Sequence, residues 1–142
     1  MNHVAILDQK RKLLAKIIAG EKTIESRWYK AKVTPWDRIK KGEVVYFKES
    51  GEPVSVRAEV SEVLQFYLPC VDVRELLDKY AKAICFTTTD RGKLVEWCSE
   101  RKYCVLIRLK DVQQIEPFEI DKTGFGNMAA WITVDDVSRI KR

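Results

Sequence analysis

The seven residues from Val54 to Val60 constrain this chain more than any others. Val54, Val56, Ala58 and Val60 alternate with Ser55, Arg57 and Glu59, and a period of two puts every apolar side chain on one face of an extended strand. One buried face and one wet face is the habit of an antiparallel sheet, not of a fully covered parallel one. The phase slips at Ser61 and Glu62, where a β-bulge is expected.

Further strands are predicted at Val4 to Leu7, Val44 to Lys48 and Tyr103 to Val112, the last with Val105, Ile107 and Leu109 opposing Leu106, Arg108 and Lys110. Leu13, Leu14, Ile17 and Ile18 recur at helical spacing among Lys10, Arg11, Lys12 and Lys16, which predicts an amphipathic helix ending at Gly20. Helices are also predicted over 71–84 and 90–100. Thr34 and Pro35 fit the N-cap and first position of a short helical turn, ESGEP a turn, and Thr133 the cap of a short terminal helix. Without a regular βαβ alternation, this order predicts an α+β fold: a small, mostly antiparallel β-barrel with flanking helices. No linker or internal repeat divides the chain, and 142 residues suffice for one core. Residues 1–142 are therefore expected to form a single domain.

Composition excludes several classes. No stretch approaches the roughly 20 apolar residues of a membrane span, and the basic residues at the start follow the short apolar run, the reverse of a secretory signal. No membrane partner is expected, and a cytoplasmic location is. Cys70, Cys85, Cys98 and Cys104 form no CxxC pair, so they read as reduced thiols, mostly buried. His3 is the single histidine, which leaves a mixed cysteine and histidine metal site short of ligands and a Ser-His-Asp or Cys-His nucleophile without a base. No metal and no cofactor are expected.

The stretch GEKTIESRWYKAKVTPW, from Gly20 to Trp36, carries most of the remaining chemistry. The chain has a net charge of +5. Between Lys22 and Lys41 the bases Lys22, Arg27, Lys30, Lys32, Arg38, Lys40 and Lys41 face only Glu25 and Asp37, a patch suited to a polyanion. In an extended segment, Thr23, Glu25 and Arg27 share one face and Ile24, Ser26 and Trp28 the other. Arg offers a planar fork for phosphate, Lys a point charge, and Glu an acceptor for a base amino group or a partner that orients the Arg. A nucleotide is a ligand that is both anionic and hydrogen-bonding. Tyr29 and Trp36, interleaved with Lys30 and Lys32, could stack on bases. Trp28 reads as core, Trp36 as either packing or functional, and Trp131 as packing.

The spacing G-x-K-x-x-E-x-R at Gly20, Lys22, Glu25 and Arg27, placed after an amphipathic helix and before the strand RAEVSEV, resembles the ASCH domain family, which has a PUA-like β-barrel fold. KTGFGNMAAWI resembles the family's C-terminal part, so the resemblance covers nearly the whole chain. It implies a cleft between barrel and N-terminal helix, lined by Lys22, Glu25 and Arg27, that binds RNA or its components. Lys30, Lys32 and Lys41 would add nonspecific attraction, and Asn127 is the polar side chain of the glycine loop best placed to touch a ligand. Protein partners are left open, a protein-interaction module in a larger complex being the third reading.

The resemblance also implies an enzymatic alternative. Some bacterial relatives look like amidohydrolases that deacetylate acetylcytidine with a Lys and a Thr of the motif region. Lys22 matches that Lys, but Glu25 stands where the Thr would be, and Thr23 lies at a different offset. Ribonuclease activity, with Lys22 or Glu25 as acid or base, is the other hydrolytic possibility. Binding is favoured over hydrolysis because the nucleophile is replaced.

Overall fold

The computed structural model describes residues 1–126 and 128–142. Six strands form one sheet: β1 (Asn2–Leu7), β2 (Ile24–Tyr29), β3 (Val44–Glu49), β4 (Val54–Tyr67), β5 (Tyr103–Phe118) and β6 (Trp131–Val134). The helices are α1 (Leu13–Ile18), α2 (Val73–Ile84) and α3 (Arg91–Ser99). The strand order is β2-β5-β4-β3-β1-β6, antiparallel throughout except for β1 beside β3. The sheet curls into a half-barrel, giving the α+β architecture with flanking helices expected from the order of elements.

The alternating strand behaves as its pattern requires. Val56, Ala58 and Val60 are fully buried inside the curl with Phe47, Val105 and Ile107, and α1 adds Leu13, Leu14 and Ile17 to the same cluster. The register of β4 against β5 shifts between Val60 and Glu62, where the sequence phase slips. Truncating Phe47, which is wholly buried, to alanine would cost roughly 3–5 kcal/mol.

The opposite face of β2 and β5 lies under α2 and α3. Ile24, Trp28, Cys104 and Leu106 pack there against Leu76, Leu77, Tyr80 and Leu94. This assigns Trp28 to packing, as expected, and makes the first half of β5 buried on both faces. Asp72 and Asp90 cap the two helices by accepting backbone N–H bonds from Arg74 and Glu75 and from Lys93.

Three local readings are corrected. Residues 34–38 form turns around a cis Thr34–Pro35 peptide and not a helical turn. Asp37 takes a positive φ of 56° there, which stops helical propagation, and Gln65 holds it through two hydrogen bonds of 2.7 and 2.8 Å. Thr133 is not a cap: it lies within β6 opposite His3, and Asp136 caps the terminal 3-10 turn instead. β5 runs to Phe118, past Val112, because its polar second half pairs with the start of β4. Trp131 is buried in the interior cluster, as expected of a packing residue.

Candidate functional site

β2 and β6 are the two edges of the sheet, and the curl brings them face to face. The backbone of β2 alternates: Thr23 and Tyr29 offer their carbonyls to the N–H groups of Leu109 and Lys102, while Ile24 and Ser26 point to the free edge. Lys22 and Glu25 occupy that free edge. The Lys22 Nζ donates to the carbonyls of Ile24 and Ile84, each at 2.7 Å, and the Ser26 N–H donates to Glu25 Oε1 at 3.0 Å. Lys22 thus fastens the C-terminus of α2 to β2.

Three charged side chains converge at this point. Lys22 Nζ is 3.4 Å from Glu25 Oε1, and the Arg27 guanidinium donates to Glu25 Oε2 at 3.2 Å. Lys22 and Glu25 are buried, and Arg27 retains 12% side-chain exposure. Arg27 also reaches across the seam to the carbonyls of Ala130 at 3.3 Å and Ile6 at 3.5 Å, with its guanidinium carbon 5.2 Å from the centre of the Trp131 ring.

Burial works to raise the Glu25 carboxyl, but Lys22 and Arg27 outweigh it and hold the group below its ordinary value. Burial lowers Lys22 despite its carboxylate neighbour. Its donors are matched by two carbonyls and a carboxylate. Two cations against one anion leave the trio with a surplus positive charge, in a place where low dielectric magnifies it.

The trio lines a cavity of about 300 Å³ whose walls include Asp8 and Arg11 from the turn after β1, Tyr29, Phe86 and Trp97. Burial pushes the Tyr29 phenol up. Lys22, Glu25, Arg27 and Tyr29 are therefore brought together. Lys30, Lys32, Trp36 and Lys41 are not. Trp36 packs edge-on against Tyr103 with ring centres 5.0 Å apart, and Lys32 Nζ sits 5.9 Å from the same ring. Lys30 is exposed, and Lys41 lines a separate depression beside Asp37 and Val63. Asn127 lies outside the described residues. Sequence reasoning missed Arg11, Phe86 and Trp97, which no motif or spacing singled out.

The architecture matches solved structures over most of its length. ASCH from Zymomonas mobilis superposes with a TM-score of 0.66 over 94% of this chain and 87% of that one, at 16% identity. The chain has the ASCH fold. A point-mutant form of the same ASCH protein gives a TM-score of 0.69 over 97% of this chain and 93% of that one, at 15% identity. The hypothetical protein PH0355 matches at a TM-score of 0.53 and 18% identity, over 81% of this chain and the whole of that one. No family model and no curated protein matches the sequence. Among the described residues, no helix is long and apolar enough to cross a membrane.

Proposed function

We propose that the chain is an ASCH-family protein that binds RNA or a nucleotide in the cleft at the seam of the half-barrel. The observation that carries this reading is the convergence of Lys22, Glu25 and Arg27 within ion-pair distance on the wall of one cavity. The roles of the three differ. Arg27 keeps partial exposure and its longest hydrogen bonds, at 3.3 and 3.5 Å, so it is the group that meets a phosphate. Glu25, held ionised, accepts from a base amino group. Lys22, with its donors already matched, positions Glu25 and supplies field without touching the ligand.

The same geometry favours binding over hydrolysis. A general base works best with a pKa near the operating pH, and Glu25 is held below its ordinary value while Lys22 is a buried, fully bonded ammonium.

The test is binding of short RNA and of mononucleotides across a salt series. Affinity falls steeply as salt rises, and Arg27→Ala weakens it. Salt-independent binding, or none at micromolar protein, overturns the reading. Turnover of acetylcytidine or RNA that is lost in Glu25→Ala would replace it with a hydrolase.

A further inference from the structure

The cavity does not end at the charged trio. A second compartment of about 330 Å³ adjoins it, and Arg11, Phe86 and Trp97 line both. The outer compartment adds Lys93 and two exposed threonines, Thr87 and Thr88.

Trp97 is the informative residue. It is 41% exposed on α3, although a large aromatic ring normally gains from burial. Its ring is nonetheless held in place. Trp28 meets it edge-on at 6.3 Å, and the Arg101 guanidinium lies 3.6 Å from its centre while donating to the Trp97 carbonyl at 2.8 Å. A fixed, exposed, cation-backed ring is a stacking platform. Two cations flank it: Arg11 at the junction of the compartments and Lys93 in the outer one, neither in an ion pair among the described residues.

We propose that the outer compartment is a second nucleotide subsite. The base of a nucleotide next to the one held by Glu25 and Arg27 stacks near Trp97, Arg11 takes the phosphate joining the two, and Lys93 takes the next. The ligand class is therefore a single-stranded oligoribonucleotide of two or more residues, not a free nucleoside. This rests on the cleft binding a nucleotide, as argued above, and adds a minimum length. Charge complementarity and continuity with the inner compartment argue for this occupant. Stacking tolerates any base, so the outer subsite adds affinity without sequence preference.

The experiment titrates wild-type protein, Trp97→Ala, Trp97→Phe and Lys93→Glu with a mononucleotide, a dinucleotide and a hexaribonucleotide, read by calorimetry or anisotropy. The expected result is tighter binding of the dinucleotide than of the mononucleotide. Trp97→Ala should weaken oligomer binding by roughly 5-fold to 150-fold, the range of one base-stacking contact, and the mononucleotide by less, since the ring also borders the inner compartment. Replacing Lys93, which lines the outer compartment alone, should leave the mononucleotide unchanged. Trp97→Phe keeps a ring and most of the affinity, and Lys93→Glu, on an exposed side chain, loses oligomer binding without a change in fold. If the oligomer binds no better than the mononucleotide, or Trp97→Ala and Lys93→Glu leave it unaltered, the second subsite is wrong while the inner cleft stands. If neither ligand binds the wild type, both fall together.

Discussion

Arg27 and Trp131 belong to opposite edges of one sheet, yet the guanidinium carbon of the first lies 5.2 Å from the ring centre of the second. Among the described residues, no ladder of backbone hydrogen bonds joins β2 to β6; the curl is held shut there by a side chain. The residue proposed to meet a phosphate is also the clasp of the half-barrel.

Arg27→Ala should therefore lower stability as well as affinity. A partly desolvated cation–π contact and the bonds to Ala130 and Ile6 together contribute roughly 1–2 kcal/mol, and the loss of one of the two cations beside the buried Glu25 carboxylate adds to that. Urea denaturation checks this, and an unchanged midpoint would show that the seam closes without Arg27.

Lys22→Ala should be more damaging. It leaves the carbonyls of Ile24 and Ile84 without their donor and the Glu25 carboxylate buried beside one cation instead of two. Breaking a buried pair from one side costs roughly 3–5 kcal/mol. Lys22→Met combined with Glu25→Gln should recover part of that loss, because the uncompensated charge goes with it. A double variant no more stable than Lys22→Met would count against the pairing.

Two pH windows of stability follow from buried groups. Burial lowers His3 below 6.5 despite its 2.8 Å bond to Glu43, so the unfolded chain takes up a proton before the folded one does. Stability from this source is complete above pH 6.5 and declines as pH falls through 6.5 towards the folded value. Glu25 is lowered from 4.5; its contribution is complete above that value and is lost as pH falls through the folded one. Thermal melts from pH 8 to 3 should show both declines, with His3→Gln flattening the upper and Glu25→Gln the lower. His3 is the sole histidine, so its NMR titration is unambiguous and should have its midpoint below pH 6.5.

The thiols should divide into two classes. Cys70 is exposed and Cys85 half-buried, whereas Cys98 and Cys104 are buried, the former pushed up to about 11 by its surroundings. The thiolate is the reactive form. A thiol reagent at pH 8 should modify Cys70 and Cys85 in the native protein and the other two only after denaturant is added. Four equal rates would contradict the packing of β5 beneath the helices.

What the sequence made legible was local. The alternation at Val54 to Val60 marked a strand and its buried face, and the spacing of Lys22, Glu25 and Arg27 marked charges able to meet on one edge. The rest depends on partners distant along the chain. The Ile84 carbonyl that absorbs Lys22 lies 62 residues away, and no periodicity announces it. β6 has only four residues, too short for alternation to register, and its Thr133 imitates a helix cap because a threonine before acidic residues suits either role. Trp97 sits on a helix with little amphipathic pattern, so neither its exposure nor its place beside Trp28 could be read from spacing.

The bonds from Lys22 and Glu25 to the Ile24 carbonyl and the Ser26 N–H have a further consequence for the chain in a crowded cell. An open strand edge is a template on which another protein's strand can grow, and charged side chains are a common defence against it. Here the defence is the motif itself, since two of its residues imitate the missing neighbour strand. Losing them would expose a length of adhesive backbone on β2, and aggregation, not merely weaker ligand binding, would be the visible result.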